Sequence, residues 1–204
     1  MRREHKQQGG GIINPTIELF FNGSVADSSP NNITPYTYGT IQYSDGCYVG
    51  MPSTWVRYDL DGHYCESGDF QLETALLMDN VTTDSLVFSS TPYSLVSGFA
   101  QTTLFCSNGT LFLAVREGNG TSYPNTIVST GITMSVAVYS TISLERTNGT
   151  LLCYKNGSLV STIALNKSVF NQYSRYLTIG NSSIYNIAGN YLRGKMDYLI
   201  LKTN

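Results

Sequence analysis

Two carboxylates in the stretch DFQLE have a spacing that suits acid and base chemistry. In a β-strand alternate residues point to one face, which places Asp69, Gln71 and Glu73 together and turns Phe70 and Leu72 to the other face. Two carboxyl groups on either side of a sugar are what many glycosidases use as nucleophile and general acid. Gln71 carries no charge between them, so we keep hydrolysis by Asp69 and Glu73 only as an alternative.

Metal and thiol chemistry have less support in the sequence. The chain has 4 Cys and 2 His, without any CxxC spacing, so a zinc site is not indicated. If the chain matures in an oxidising compartment, two disulfides could form in any of three pairings; we predict at least one bridge, with Cys47 and Cys65 as the nearest pair in sequence. Buried free thiols in β-strands are an equally ordinary alternative.

Nine triplets have the Asn-x-Ser/Thr pattern of N-glycosylation acceptors. Several of them contain Asn-Gly, a pair that also occurs for turn chemistry alone, and that alternative stays open. The acceptors are Asn22, Asn32, Asn80, Asn108, Asn119, Asn148, Asn156, Asn166 and Asn181.

The composition narrows the class of protein. The chain has 204 residues, of which 41% are hydrophobic and 13% charged, so it can fill one sizeable core. A formal net charge of -2 offers no basic field for nucleic acid, and no apolar run is long enough to span a membrane. The many Tyr, Ser, Thr and Asn residues are typical of β-rich extracellular or particle-surface proteins.

Turn signals divide the sequence into many short strands. Asn148-Gly149 and Asn156-Gly157 predict two type I′ hairpins and therefore a three-stranded meander from Ser140 to Ile163. Other predicted strands include Thr37 to Tyr43 and Met134 to Glu145. Short strands at this spacing predict an all-β sandwich of two antiparallel sheets. Residues 1–12 are expected to form a flexible N-terminal arm, and residues 13–204 the sandwich domain.

Four segments resemble one known family. The stretches are TIELFFNGSVADSSPNN, SGDFQLETALLM, ISLERTNGTLLCYKNGSLV and LTIGNSSIYNIAGNYLRGKMDYLILKTN. In this order they are similar to concanavalin A-like, laminin-G-like jelly-roll domains, including those of viral, phage-like surface and tail proteins. The resemblance departs at Trp55, which falls in a loop-like stretch instead of the strand where such domains usually have Trp. DFQLE also resembles a degenerate form of the strand that carries the catalytic residues of laminarinase-like glycosidases with this fold.

The resemblance implies a binding site and a structural metal. Jelly rolls of this type commonly bind glycans or proteins through aromatic faces and through polar groups near them. The candidate ligand contacts are Trp55, Tyr58, Asp59, Asp61, Tyr64, Tyr185, Asn190 and Tyr191. Some relatives hold a structural calcium ion, which here implies Asp27 and Asp197 as ligands; an Asx turn at Asp27 is the alternative.

These observations predict a non-catalytic adhesion or decoration module that recognises glycans or a partner protein. We expect it to be a virion structural protein, on the virion surface or extracellular, and to be oligomeric or particle-associated, without nucleic acid or a membrane span. The alternatives are a laminarinase-like glycoside hydrolase, and a purely structural subunit-packing protein that would show a broad apolar patch instead of a cleft.

Overall fold

The computed structural model describes residues 16–52, 54–60, 68–91, 100–117, 125–167, 169–170, 176–180 and 191–203, and β-strands are the regular secondary structure within them. In chain order these are β1 (Ile17–Phe20), β2 (Pro35–Tyr38), β3 (Gln42–Ser44), β4 (Cys47–Val49), β5 (Trp55–Asp59), β6 (Phe70–Met78), β7 (Ser85–Thr91), β8 (Ala100–Ser107), β9 (Thr110–Glu117), β10 (Asn125–Thr133), β11 (Ser140–Thr147), β12 (Thr150–Lys155), β13 (Ser158–Ala164), β14 (Tyr176–Ile179) and β15 (Gly194–Thr203). None of these residues belongs to a helix that is long and apolar enough to cross a membrane.

The strands form two antiparallel sheets, which confirms the predicted two-sheet sandwich. The eight-stranded sheet has the order β13-β12-β11-β6-β15-β4-β3, with β1 also paired to β15. The seven-stranded sheet has the order β10-β9-β8-β7-β14-β5-β2. Strands β2 and β5, which are near neighbours in sequence, therefore form one edge of the seven-stranded sheet.

The core lies between the sheets, where alternate side chains of strands such as β6 and β11 are buried. Phe170 contacts Phe70 of β6 at a ring-centroid distance of 5.2 Å and Phe88 of β7 at 6.0 Å. This aromatic cluster joins the two sheets, because β6 and β7 belong to different ones.

The Asn-Gly pairs form the turns that the sequence predicts. Asn148 and Gly149 have φ of 49° and 76°, and Asn156 and Gly157 have φ of 51° and 79°. Positive φ at both central positions is what a type I′ turn requires. The meander is confirmed as β11, β12 and β13, which pair in that order.

Two predicted strands are wrong in their extent. The segment Thr37 to Tyr43 is broken at Gly39, where φ is 73°, and the chain crosses from β2 in one sheet to β3 in the other. The segment Met134 to Glu145 is broken at Ala137, where φ is 59°. Met134, Val136 and Val138 alternate through the second break, so periodicity alone did not reveal it.

Because the hydroxyl of Tyr58 is buried, we expect the stability of the protein to depend on pH. The side chain is fully buried in the core, and its Oη donates a hydrogen bond of 2.7 Å to the carbonyl of Val25. Burial is the main cause that raises the pKa of Tyr58 above the ordinary value near 10. Below about pH 10 the folded and the unfolded protein both keep the Tyr58 hydroxyl proton, and the hydroxyl contributes its full stabilisation. Above about pH 10 the unfolded protein releases this proton first, so the free energy of unfolding falls.

We therefore expect the stability of the wild type to fall above about pH 10 more steeply than that of Tyr58→Phe, by about 1.4 kcal/mol per pH unit. Urea unfolding between pH 7 and pH 11 measures both slopes. At neutral pH the variant should be about 1 kcal/mol less stable, because the carbonyl of Val25 loses its donor. Tyr38→Phe is the matched control on an exposed tyrosine and should follow the wild type. Parallel curves for Tyr58→Phe and the wild type above pH 10 would contradict this expectation.

Candidate functional site

Strand β5 separates its side chains between the core and the outer face of the seven-stranded sheet. Val56 and Tyr58 are buried, whereas Trp55, Arg57 and Asp59 are partly exposed. This is the period of two that a strand imposes. Trp55, which the sequence placed in a loop-like stretch, thus lies in a strand that fixes its direction.

The neighbouring strands bring three tyrosines beside these outward residues. In the register of β2 with β5, Tyr36 lies opposite Arg57 and Tyr38 opposite Trp55. On the other side of β5, Tyr176 of β14 lies opposite Asp59. Because directly opposed residues of an antiparallel pair share a face, the tyrosines project outward as Trp55 does.

The rings and the guanidinium form one continuous surface. Tyr38 stacks on Trp55 at a centroid distance of 5.4 Å and an interplanar angle of 12°, and Tyr36 lies 5.5 Å from Trp55. Arg57 Cζ lies 5.3 Å from the ring centroid of Tyr36, 5.4 Å from that of Trp55 and 4.5 Å from that of Tyr176. We call Tyr36, Tyr38, Trp55, Arg57 and Tyr176 the aromatic platform.

The platform is open to solvent at the sheet edge. Tyr36 is 58% exposed and Tyr38 is 56% exposed, which is unusual for large rings that could have been placed in a core. Neighbouring rings of this kind offer a flat apolar surface with hydroxyl groups at its border. Such a surface can stack against the C–H face of a sugar ring while its polar groups contact the hydroxyls.

The predicted ligand contacts do not all lie at one site. Trp55 lies at the centre of the platform, and Asp59 follows on the same face of β5. Tyr58 was wrong as a ligand contact, because it is fully buried and points into the core. Tyr191 lies elsewhere, next to the start of β7, and the guanidinium of Arg193 lies 4.4 Å from its ring centroid. Asp61, Tyr64, Tyr185 and Asn190 lie outside the described residues.

Four members of the platform were not predicted from the sequence, namely Tyr36, Tyr38, Arg57 and Tyr176. A local signal was present for part of it, because PYTY places two tyrosines two positions apart and WVR does the same for Trp55 and Arg57. The pairing of β2 and β14 with β5 brings the remaining contacts together, and this pairing is not written in either segment alone.

The two carboxylates considered for catalysis do share one face, as predicted, but on the eight-stranded sheet and with structural partners. Asp69 forms an ion pair of 2.7 Å with Arg146, and its side chain is only 16% exposed. It also accepts a hydrogen bond from the backbone N–H of Asn148, in the β11–β12 turn. Glu73 accepts a hydrogen bond of 2.6 Å from Tyr198 Oη. These contacts favour a structural role for both carboxylates over glycoside hydrolysis.

The predicted calcium ligand Asp27 is buried and occupied by hydrogen bonds. Its Oδ1 accepts from the backbone N–H groups of Glu18 and Ser29, each at 2.9 Å. Its Oδ2 accepts from Ser29 Oγ at 2.7 Å and from the N–H of Ile33 at 2.8 Å. The bond to the N–H of Ser29 is the Asx turn that we kept as the alternative.

The second predicted calcium ligand does not add a metal-binding set. Asp197 accepts a hydrogen bond from the N–H of Phe21 through its backbone carbonyl at 3.0 Å. In the part of the chain that the structure describes, no three Cys, His, Asp or Glu residues come together as metal ligands. A cation at Asp27 would have to displace donors that already hold the carboxylate, which disfavours calcium at this position.

The described cysteines are buried free thiols, namely Cys47, Cys106 and Cys153. Cys47 Sγ lies 3.0 Å from Tyr139 Oη. Burial raises the pKa of the Cys106 thiol to about 11, which keeps it protonated at neutral pH. Cys47 is one of these free thiols, which contradicts the predicted bridge to Cys65; Cys65 itself lies outside the described residues.

Several predicted glycosylation acceptors have turn roles. Asn32, Asn108, Asn148 and Asn156 have positive φ, and Asn80 Oδ1 accepts hydrogen bonds from the N–H and the hydroxyl of Thr82. Asn22 and Asn166 are exposed, whereas Asn119 and Asn181 lie outside the described residues. Turn chemistry thus accounts for part of the pattern, and glycosylation stays a prediction.

The comparisons with known proteins concern the fold. The sequence matches no protein-family model and no curated protein. Among solved structures, domain 4 of the extracellular arabinanase AbnA from Geobacillus stearothermophilus, in complex with arabinotriose, is similar with a TM-score of 0.70 at 18% identity, over 94% of this chain and 93% of that one. The chain shares its β-sandwich fold.

Botulinum neurotoxin domains are similar as well. A structure of the type C neurotoxin, described as interacting with two ganglioside molecules, has a TM-score of 0.66 at 12% identity over 93% of this chain. The binding domain of neurotoxin DC in complex with rat synaptotagmin II has a TM-score of 0.66 at 11% identity, also over 93% of this chain. This chain spans about half the length of these neurotoxin chains. At such identities the likeness shows a shared fold, while the concanavalin A-like family stays a prediction.

Proposed function

We propose that this protein is a non-catalytic binding module that recognises glycans through the aromatic platform. The observation that carries the proposal is the stacked pair of Tyr38 and Trp55 on the outer face of a sheet edge. Tyr36 and Tyr38 are 58% and 56% exposed and do not serve the core, so their rings are available to a ligand. Two of the similar structures support the choice of ligand, since they are described with arabinotriose and with gangliosides.

A glycan array on the purified protein tests the proposal, and Trp55→Ala is the decisive variant. We expect the variant to bind its glycans about 10- to 100-fold more weakly, because Trp55 contacts both tyrosines and centres the stacking surface. Tyr154→Ala removes a partly exposed aromatic side chain from the other sheet and should bind as the wild type does. Circular dichroism and urea unfolding confirm that both variants are folded.

Equal binding by Trp55→Ala and the wild type would place the site elsewhere. Parallel arrays with calcium and with a chelator test the calcium expectation, which the contacts of Asp27 do not favour. If the wild type bound no glycan on the array, glycan recognition would be overturned and a protein partner would remain as the ligand.

The location that we propose is the surface of a virion or the extracellular space. The Ser, Thr, Asn and Tyr content supports this, as does the resemblance to phage-like surface modules. Association with a particle or with other copies is supported by exposed apolar side chains at the meeting edges of the sheets. Leu159 is 55% exposed, Val160 42% and Ile127 57%, on β13 and β10.

A further inference from the structure

Arg57 holds a positive charge within the aromatic platform. The ring centroids of Tyr36, Trp55 and Tyr176 all lie within 5.4 Å of its Cζ. Cation–π attraction acts up to a distance of about 6 Å, so all three rings are within its range. The side chain is only partly exposed. The rings therefore hold the guanidinium in one position beside the stacking surface.

The hydrogen-bonding capacity of this guanidinium is unused within the described part of the chain. Arginine has five N–H donors, yet neither a carboxylate nor a carbonyl of the described residues accepts a hydrogen bond from Arg57. Two other arginines differ in this respect. Arg146 donates to Leu165 and Asp69, and Arg193 donates to Asp84 and Tyr191.

The acidic residue nearest to Arg57 along the strand does not form an ion pair with it. Asp59 lies two positions further on the same face of β5, and among the described residues no ion pair joins it to Arg57. A cation–π contact uses the charge of the guanidinium and leaves its N–H groups for an acceptor. A fixed, partly desolvated fork of donors beside a flat apolar surface suits a ligand that carries a planar anion next to a sugar ring.

We propose that the platform selects acidic glycans, in which a sugar carboxylate accepts a bidentate hydrogen bond from Arg57 while the ring stacks on Trp55 and its tyrosines. The inference rests on the proposed glycan recognition and adds the chemical class of the ligand. The class comprises sugars with a carboxylate, such as sialic and uronic acids. A lysine would not replace Arg57, because an ammonium group is a point charge without the planar fork.

The test compares an acidic glycan with the same glycan after its charge is removed. Sialyllactose and its carboxyl methyl ester are titrated by calorimetry against the wild type, together with a glucuronic acid disaccharide and its ester. We expect each acid to bind at least about 10-fold more tightly than its ester, because a charge-assisted pair is about twice as strong as a neutral hydrogen bond. This preference should weaken as salt is added.

Variants assign the preference to Arg57. Arg57→Gln should lose the discrimination between acid and ester, so that both bind with the same affinity. Arg57→Lys should keep only part of the discrimination. Lys195→Gln is the matched control, since it removes one positive charge from the eight-stranded sheet, where Lys195 pairs with Asp45 at 3.0 Å; it should bind like the wild type.

The outcomes separate this inference from the proposed function. Equal binding of acid and ester by the wild type would overturn the acidic class and leave glycan recognition intact, and that comparison needs no variant to fold. Discrimination that survives in Arg57→Gln would overturn the role of Arg57. Absence of binding by every glycan on the array would overturn the proposed function itself.

Discussion

Asp69→Ala is expected to lower the free energy of unfolding by about 3 kcal/mol. Its partner Arg146 has a side chain that is only 7% exposed, with NH1 at 2.7 Å from Asp69 Oδ1 and Nε donating to the carbonyl of Leu165. Removal of the carboxylate breaks the ion pair that this buried guanidinium makes with Asp69. The N–H of Asn148, which also donates to Asp69, loses its acceptor in the β11–β12 turn.

Urea unfolding of a small set of variants measures this effect. Asp69→Ala combined with Arg146→Met should recover most of the lost stability, because an apolar side chain then replaces the buried guanidinium. Glu73→Gln is the control on the same face of β6. Its amide oxygen still accepts from Tyr198, so we expect a loss of only about 1 kcal/mol.

The same set of variants separates a structural from a catalytic role of DFQLE. A catalytic pair would leave stability nearly unchanged when it is removed, since active-site groups are often kept at the expense of stability. A stability of Asp69→Ala within about 1 kcal/mol of the wild type would therefore contradict the structural role. Additive losses in the double variant would contradict the ion pair as the cause.

Local chemistry in the sequence was sufficient to predict the hairpins. Asn148-Gly149 and Asn156-Gly157 adopt positive φ because of their own side chains or the lack of one, so their turns need no information from the rest of the chain. The outward face of DFQLE was predicted correctly for a similar reason. Strand periodicity acts over a few residues, and Phe70 and Leu72 are buried as it requires.

The candidate site was only partly predictable, because it depends on both strand boundaries and long-range pairing. Trp55 and Tyr58 were taken together as ligand contacts, but residues three positions apart in a strand point to opposite faces. Recognition of β5 as a strand would have separated them. The segment WVR placed Arg57 near Trp55, but the contacts of Arg57 with Tyr36 and Tyr176 come from β2 and β14, which only the folded sheet brings together.

The glycine at the start of β15 gives the other large expected effect, because its α-carbon faces the backbone of β6. A Cβ at Gly194 would lie 2.0 Å from the carbonyl oxygen of Leu77 and 3.0 Å from Met78 Cα. Its φ is also 156°, at the border of the region that side chains avoid. The carbonyl belongs to a central strand and cannot rotate away as a flexible side chain would, so β15 must move.

We expect Gly194→Ala to lower the free energy of unfolding by about 4 kcal/mol, from overpacking and backbone strain together. Gly157→Ala is the matched control, because Gly157 has a φ of 79° but a Cβ added there would meet no atom within 4 Å. Its loss should be near 1 kcal/mol, from the left-handed backbone alone. Urea unfolding of both variants separates the clash from the strain. Equal losses of stability would mean that β15 shifts to accommodate the new Cβ at residue 194. The close approach of β15 to β6 would then not destabilise the variant.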